Sequence, residues 1–129
     1  MAVILVVDDE RPVREFVSQS LLDGGHRVFQ AFHGRHALGL IAAAGDGLDR
    51  PDLVLSDVMM PLMGGVELCQ ALKDDPATAD IAVVLMSAAA PRASAGSAAD
   101  GFIDKPFDLD DLDRLIESVL DGRQLRKLA

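Results

Sequence analysis

The sequence predicts an α/β protein, a doubly wound five-stranded parallel sheet covered by helices on both faces. Three observations carry the prediction. Short apolar runs recur at residues 3–7, 27–32, 53–56, 81–86 and 101–103. The first, third and fourth are nearly continuous in Val, Ile and Leu, as strands buried on both faces of a sheet are. Helix-period stripes lie between most of the runs, and alternation of this kind implies right-handed crossovers between parallel strands.

Each element follows from local chemistry. The run 3–7 ends on Asp8-Asp9-Glu10. Pro12 suits a first helical turn, where a missing N–H costs nothing. Val13, Phe16, Val17 and Leu21 then share a helical face, and Gly24-Gly25 stops the helix. Ala37, Leu40, Ile41 and Ala44 form a second, weaker stripe after the run 27–32, and Val66, Cys69 and Leu72 a third after the run 53–56. Residues 88–100 read AAAPRASAGSAAD. They hold no large apolar residue, so the helix due there is expected to be short or irregular, with little buried surface to offset its ordering. The last helix is the clearest. Asp108 can cap it, and Leu109, Leu112, Leu115, Ile116, Val119 and Leu120 line one side. Asp110 and Asp111 fall near its start, and Arg123, Arg126 and Lys127 beyond its expected end, as the helix dipole favours.

Composition narrows the function classes. A chain of 129 residues is the size of one domain, 1–129, and can bury a core without staples. Half of it is hydrophobic and 26% is charged, which excludes a disordered chain. The net charge of −9 argues against a nucleic-acid surface, and no apolar run is long enough for a membrane span. A lone cysteine, Cys69, allows no internal disulfide and suits a reducing, cytoplasmic setting.

The run LVLSD raises a sharper question, because a buried strand there ends on a carboxylate. A buried charge needs a partner or a job. In open parallel sheets ligands bind outside the carboxyl ends of the strands. Asp8 and Asp9 follow the first strand, Asp57 ends the third, Ser87 the fourth, and Lys105-Pro106 follows the fifth. An isolated Asp at a strand end is usually a cap or turn former. Compatible chemistry at most of the ends together is harder to assign to capping. Clustered carboxylates need a cation, and hard oxygen ligands of this kind suit Mg²⁺. Lys105 would then serve an anion beside the metal.

The segments ILVVDDE, PDLVLSDVMMPLMGGVELC, VVLMSA and GFIDKPF resemble the receiver domain of two-component response regulators, the CheY-like superfamily, and the resemblance covers essentially the whole chain. It implies a flavodoxin-like strand order, 2-1-3-4-5. It implies that Asp57 accepts a phosphoryl group from a phosphohistidine on a histidine kinase or phosphotransfer protein. Asp9 and Asp57 would bind Mg²⁺ directly, Asp8 through a water, and Met59 through its backbone carbonyl. Ser87 and Lys105 would hold phosphoryl oxygens, Phe102 would be the switch aromatic, and Pro106 would follow a cis peptide bond. The chain would then be a cytoplasmic signalling switch and not an enzyme acting on an external substrate, and it would signal by contact with a downstream protein.

The chain departs from the family pattern in places. Ser87 stands for the commoner Thr, and Phe102 lacks the hydroxyl of the more usual Tyr. Met59 and Ala89 occupy the two positions that flank the water's route to the phosphate, and neither side chain can orient a water by hydrogen bonding. A Mg²⁺-dependent phosphatase with an aspartyl-phosphate intermediate is the rival enzyme class. It would carry a second Asp where Met59 stands. A receiver that folds but is never phosphorylated is the other rival, and the intact set Asp8, Asp9, Asp57, Ser87 and Lys105 argues against it. His26, His33 and His36 read as surface residues, and Cys69 as packing.

Overall fold

The computed structural model describes residues 1–88 and 98–128, and side chains as far as residue 122. The elements run β1 (Val3–Val7), α1 (Arg11–Asp23), β2 (Arg27–Ala31), α2 (Gly34–Ala44), β3 (Leu53–Asp57), α3 (Gly65–Asp74), β4 (Ala82–Ser87), β5 (Gly101–Asp104) and α4 (Leu109–Leu128). All strand pairs are parallel and the order is β2-β1-β3-β4-β5, the doubly wound arrangement expected from the sequence.

Strand alternation sorts the apolar residues onto two faces. Ile4, Val6, Leu53, Leu55, Val84 and Met86 belong to one core, with Val17 and Leu21 of α1 and Leu112 and Ile116 of α4. Leu5, Val7, Val54, Val83 and Leu85 point the other way, to Ala37 and Ile41 of α2 and Leu68, Cys69 and Leu72 of α3. Each fully buried Leu or Ile contributes roughly 1.5–3 kcal/mol, so the two layers hold the sheet from both sides. The sheet brings the carboxyl ends of β1, β3 and β4 to one rim, with Val7 beside Ser56 and Asp57 beside Met86. Among the described residues no helix is long and apolar enough to cross a membrane.

Expectations for the first and last helices change. The buried face of α1 is Arg14, Val17, Ser18 and Leu21, while Phe16 is 62% exposed. Apolar spacing alone could not foresee this, because Arg14 is buried by its hydrogen bonds and not by its hydropathy. The last helix also continues past Arg123, Arg126 and Lys127 to Leu128. Charges that suit a helix end equally suit the interior of a helix, since Arg and Lys are good helix formers. Of the segment 88–100, residues 89–97 lie outside the described residues, so the expected irregular helix does too.

Candidate functional site

The rim at the end of the central strands is acidic. Ligand oxygens of Asp8, Asp9 and Asp57 all lie within 4.8 Å of one another. Asp8 is fully buried and Asp57 is 6% exposed, while Asp9 faces solvent. The arrangement grades from a sealed carboxylate to an open one.

Asp8 is held at every polar group. Its amide donates to the Ala31 carbonyl of β2 at 3.2 Å. Its Oδ1 accepts from the Glu10 amide at 2.9 Å, and its Oδ2 from Lys105 Nζ at 3.2 Å. Its carbonyl accepts from Arg14 Nη1 at 2.9 Å. Glu10 is the residue that precedes α1, and its side chain makes no capping hydrogen bond. The Asp8 carboxylate thus closes a turn onto Glu10 and does not cap the helix. Arg14 is the part of the site that sequence reading did not find. Its only signal was a charge at the helix position between Val13 and Val17, which reads as an exposed face.

Lys105 enters from the far side of β4. Its amide donates to the Ser87 carbonyl at 2.8 Å, and the peptide bond that follows, Lys105–Pro106, is cis. The ammonium lies 3.2 Å from Asp8 Oδ2 and 3.4 Å from Asp57 Oδ1. Burial works against the Lys105 charge, but the two carboxylates outweigh it and hold its pKa above the ordinary lysine value. Asp57 shows the opposite balance. Burial pushes its carboxyl above the usual range, and Asp8 and Asp9 add to the push, against the pull of Lys105.

The loop after Asp57 is shaped by close packing. A Cβ on Gly65 would lie 2.3 Å from the Asp57 carbonyl oxygen, and one on Gly64 2.7 Å from that of Val58. Only glycine allows α3 to start this near the strand end. Met60 and Met63 pack onto the α2/α3 core, and Met63 fills the space above Gly34. Met59 and Leu62 are both 74% exposed, and Leu62 has φ +67°. Ser87 is buried at the end of β4, and Phe102 packs half-buried against the α2/α3 core. Ala89 lies outside the described residues. The histidines are less free than expected. His33 caps α2 by accepting from the His36 amide, His36 accepts from the Phe32 amide, and His26 from the Ala2 amide.

The donor set fits a hard divalent cation. Three carboxylates face one ammonium, which leaves the rim net negative, and every candidate ligand is an oxygen.

Comparison with known families agrees with this chemistry. The family model for the response regulator receiver domain matches residues 4–117. The chain belongs to that family. It is a receiver domain of two-component signalling, and it is 42% identical over 111 residues to the response regulator MprA of Mycolicibacterium vanbaalenii, across 84% of this chain and 46% of that protein. It is 34% identical to histidine kinase P4 of Formosa agariphila, across 96% of this chain and 9% of that protein. The receiver thus spans half or less of the length of these relatives. Among solved structures it resembles the signal receiver domain of a signal transduction histidine kinase from Syntrophus aciditrophicus. The TM-score is 0.83 and the identity 31%, over 95% of this chain and 92% of that one.

Proposed function

We propose that this receiver, residues 1–129 acting as one unit, takes a phosphoryl group from a phosphohistidine of a histidine kinase or phosphotransfer protein onto Asp57. The observation that carries the reading is Asp57 itself, a nearly buried carboxylate at a strand end, between two further carboxylates and an ammonium. In the transfer, an Asp57 carboxylate oxygen forms the new bond to phosphorus as the phosphorus–nitrogen bond of the donor breaks. The imidazole leaves with its electron pair and takes up a proton.

Phosphoryl transfer depends on alignment and charge neutralisation. Lys105, already drawn to Asp57 Oδ1, compensates charge that arrives with the phosphoryl oxygens. The Ser87 hydroxyl, at the next strand end, is the proposed donor to another of those oxygens. Asp9 and Asp57 would hold Mg²⁺ directly, with Asp8 through a water and the Met59 carbonyl as a further ligand. The ion, when bound, would screen the mutual repulsion of carboxylates and phosphoryl group. Phe102 is the aromatic proposed to move with the switch, the output is contact with another protein, and the setting is the cytoplasm.

The test is incubation of the full chain with phosphoramidate, with and without Mg²⁺, read by intact mass. One phosphoryl group should appear in the presence of Mg²⁺, and Asp57→Ala should abolish it. Stable incorporation into Asp57→Ala would overturn the assignment.

A further inference from the structure

Arg14 lies where a charged side chain needs a reason. It is 7% exposed, and among the described residues no carboxylate is within ion-pair distance of it. A buried cation without a carboxylate is expensive unless its donors are satisfied. Neutral groups take up two of the donors of this one. Nη1 donates to the Asp8 carbonyl at 2.9 Å, Nε donates to Gln30 Oε1 at 2.9 Å, and the guanidinium carbon lies 4.8 Å from the centre of the Phe32 ring. Gln30 is in β2 and Phe32 follows it directly. The guanidinium is therefore clamped from the β2 side and presents a fixed donor to the end of β1.

The acceptor gives that donor its consequence. The Asp8 carbonyl belongs to the peptide plane that leads into Asp9. Fixing its direction fixes how Asp9 leaves the strand. Asp9 is exposed, and among the described residues nothing donates a hydrogen bond to its carboxylate. Its placement within 4.8 Å of Asp57 and Asp8 thus rests on the backbone that carries it. We propose that Arg14 is a positioning residue for the metal site, holding the Asp8–Asp9 peptide so that the Asp9 carboxylate is aimed at Asp57 before any cation arrives. The proposal rests on the reading of Asp8, Asp9 and Asp57 as the Mg²⁺ ligands. Groups that orient ligands without touching the metal carry much of a site's affinity.

The experiment titrates the full chain with MgCl₂ by calorimetry and follows its thermal unfolding in EDTA. Arg14→Met keeps an apolar stem beneath Phe32 and removes every donor. It should weaken Mg²⁺ binding by about tenfold. Arg14→Lys keeps one flexible donor for the Asp8 carbonyl and should recover part of that loss. A merely structural role would lower the melting temperature in EDTA and leave the affinity of the folded chain unchanged. Affinity of Arg14→Met within twofold of the unmodified chain overturns the proposal. Should Arg14→Met fold too poorly to titrate, Gln30→Ala decides, because Gln30 is exposed and its loss frees one side of the clamp. More than about twofold weakening of Mg²⁺ binding supports the proposal, and an unchanged affinity overturns it. If the unmodified chain binds no Mg²⁺, the metal-site reading falls and takes the proposal with it. A normal titration of the unmodified chain beside an unchanged Arg14→Met removes the positioning role alone.

Discussion

The end of β1 and the loop between β3 and α3 border the same site and are built in opposite ways. At the end of β1 every polar group of Asp8 has a partner, and the residue is sealed from solvent. In the loop, Met59 and Leu62 stand out in water, and Leu62 holds a left-handed backbone that favours glycine. The loop is tied back at its two ends, where the Val58 amide donates to the Met86 carbonyl at 2.9 Å and the glycine pair lets α3 start close to the strand. The contrast shows which side of the proposed phosphoryl site has to be stiff. Carboxylates that repel one another stay together only if the backbone holds them, whereas the side from which a donor approaches needs access.

Gly65→Ala should have the largest effect. Its Cβ would meet the Asp57 carbonyl at 2.3 Å, and backbone cannot yield as a flexible side chain can. We expect a loss of about 3 kcal/mol, read from urea unfolding, because overpacking against fixed atoms costs this order. An unchanged midpoint would show that the loop can retreat from the strand.

The exposed loop should also set the lifetime of the phosphoryl group. Met59 cannot guide an attacking water, so phospho-Asp57 should persist well beyond seconds in Mg²⁺ buffer. Met59→Asn adds a hydrogen-bonding group and should shorten that lifetime by about tenfold, the scale on which lost or regained positioning acts. Decay of the unmodified phosphoprotein within seconds would contradict this.

A pH series probes the stiff side. The folded chain keeps the Asp57 proton to higher pH than the unfolded chain, because burial raises the carboxyl pKa. Folding stability without metal therefore falls as pH rises from the ordinary carboxylate range through that raised pKa. Asp57→Asn removes the penalty. In EDTA it should be the more stable protein at neutral pH, and the difference should vanish in acid below the ordinary carboxylate pKa. Equal urea midpoints at neutral pH would show that Lys105 already offsets the cost.

The smallest effect should come from Leu62→Gly. Relief of the left-handed backbone is worth about 1–2 kcal/mol, and the added chain entropy of glycine returns about 0.5–1 kcal/mol of it. A net gain of at most about 1.5 kcal/mol is expected in urea unfolding, and a loss would mean that the Leu62 side chain contributes packing that its exposure hides.

The sequence alone marks out the strands, the burial of β1, β3 and β4 on both faces, and the carboxylates at the ends of β1 and β3. It could do so because hydrophobic period and turn chemistry are local properties, visible within a few residues. Asp108 as the start of α4 was legible for the same reason, and its Oδ1 does accept from the Asp110 amide. Which atoms meet is set by the folded chain. The bond between Lys105 and Asp8 joins residues 97 positions apart, and no period along the chain encodes it. Helical spacing puts Phe16 on the buried face and leaves Arg14 out of it, because spacing marks a face while burial of a polar side chain depends on acceptors that other strands supply. The need for glycine at position 65 likewise lies in the distance to the Asp57 carbonyl, which exists only once α3 packs against β3.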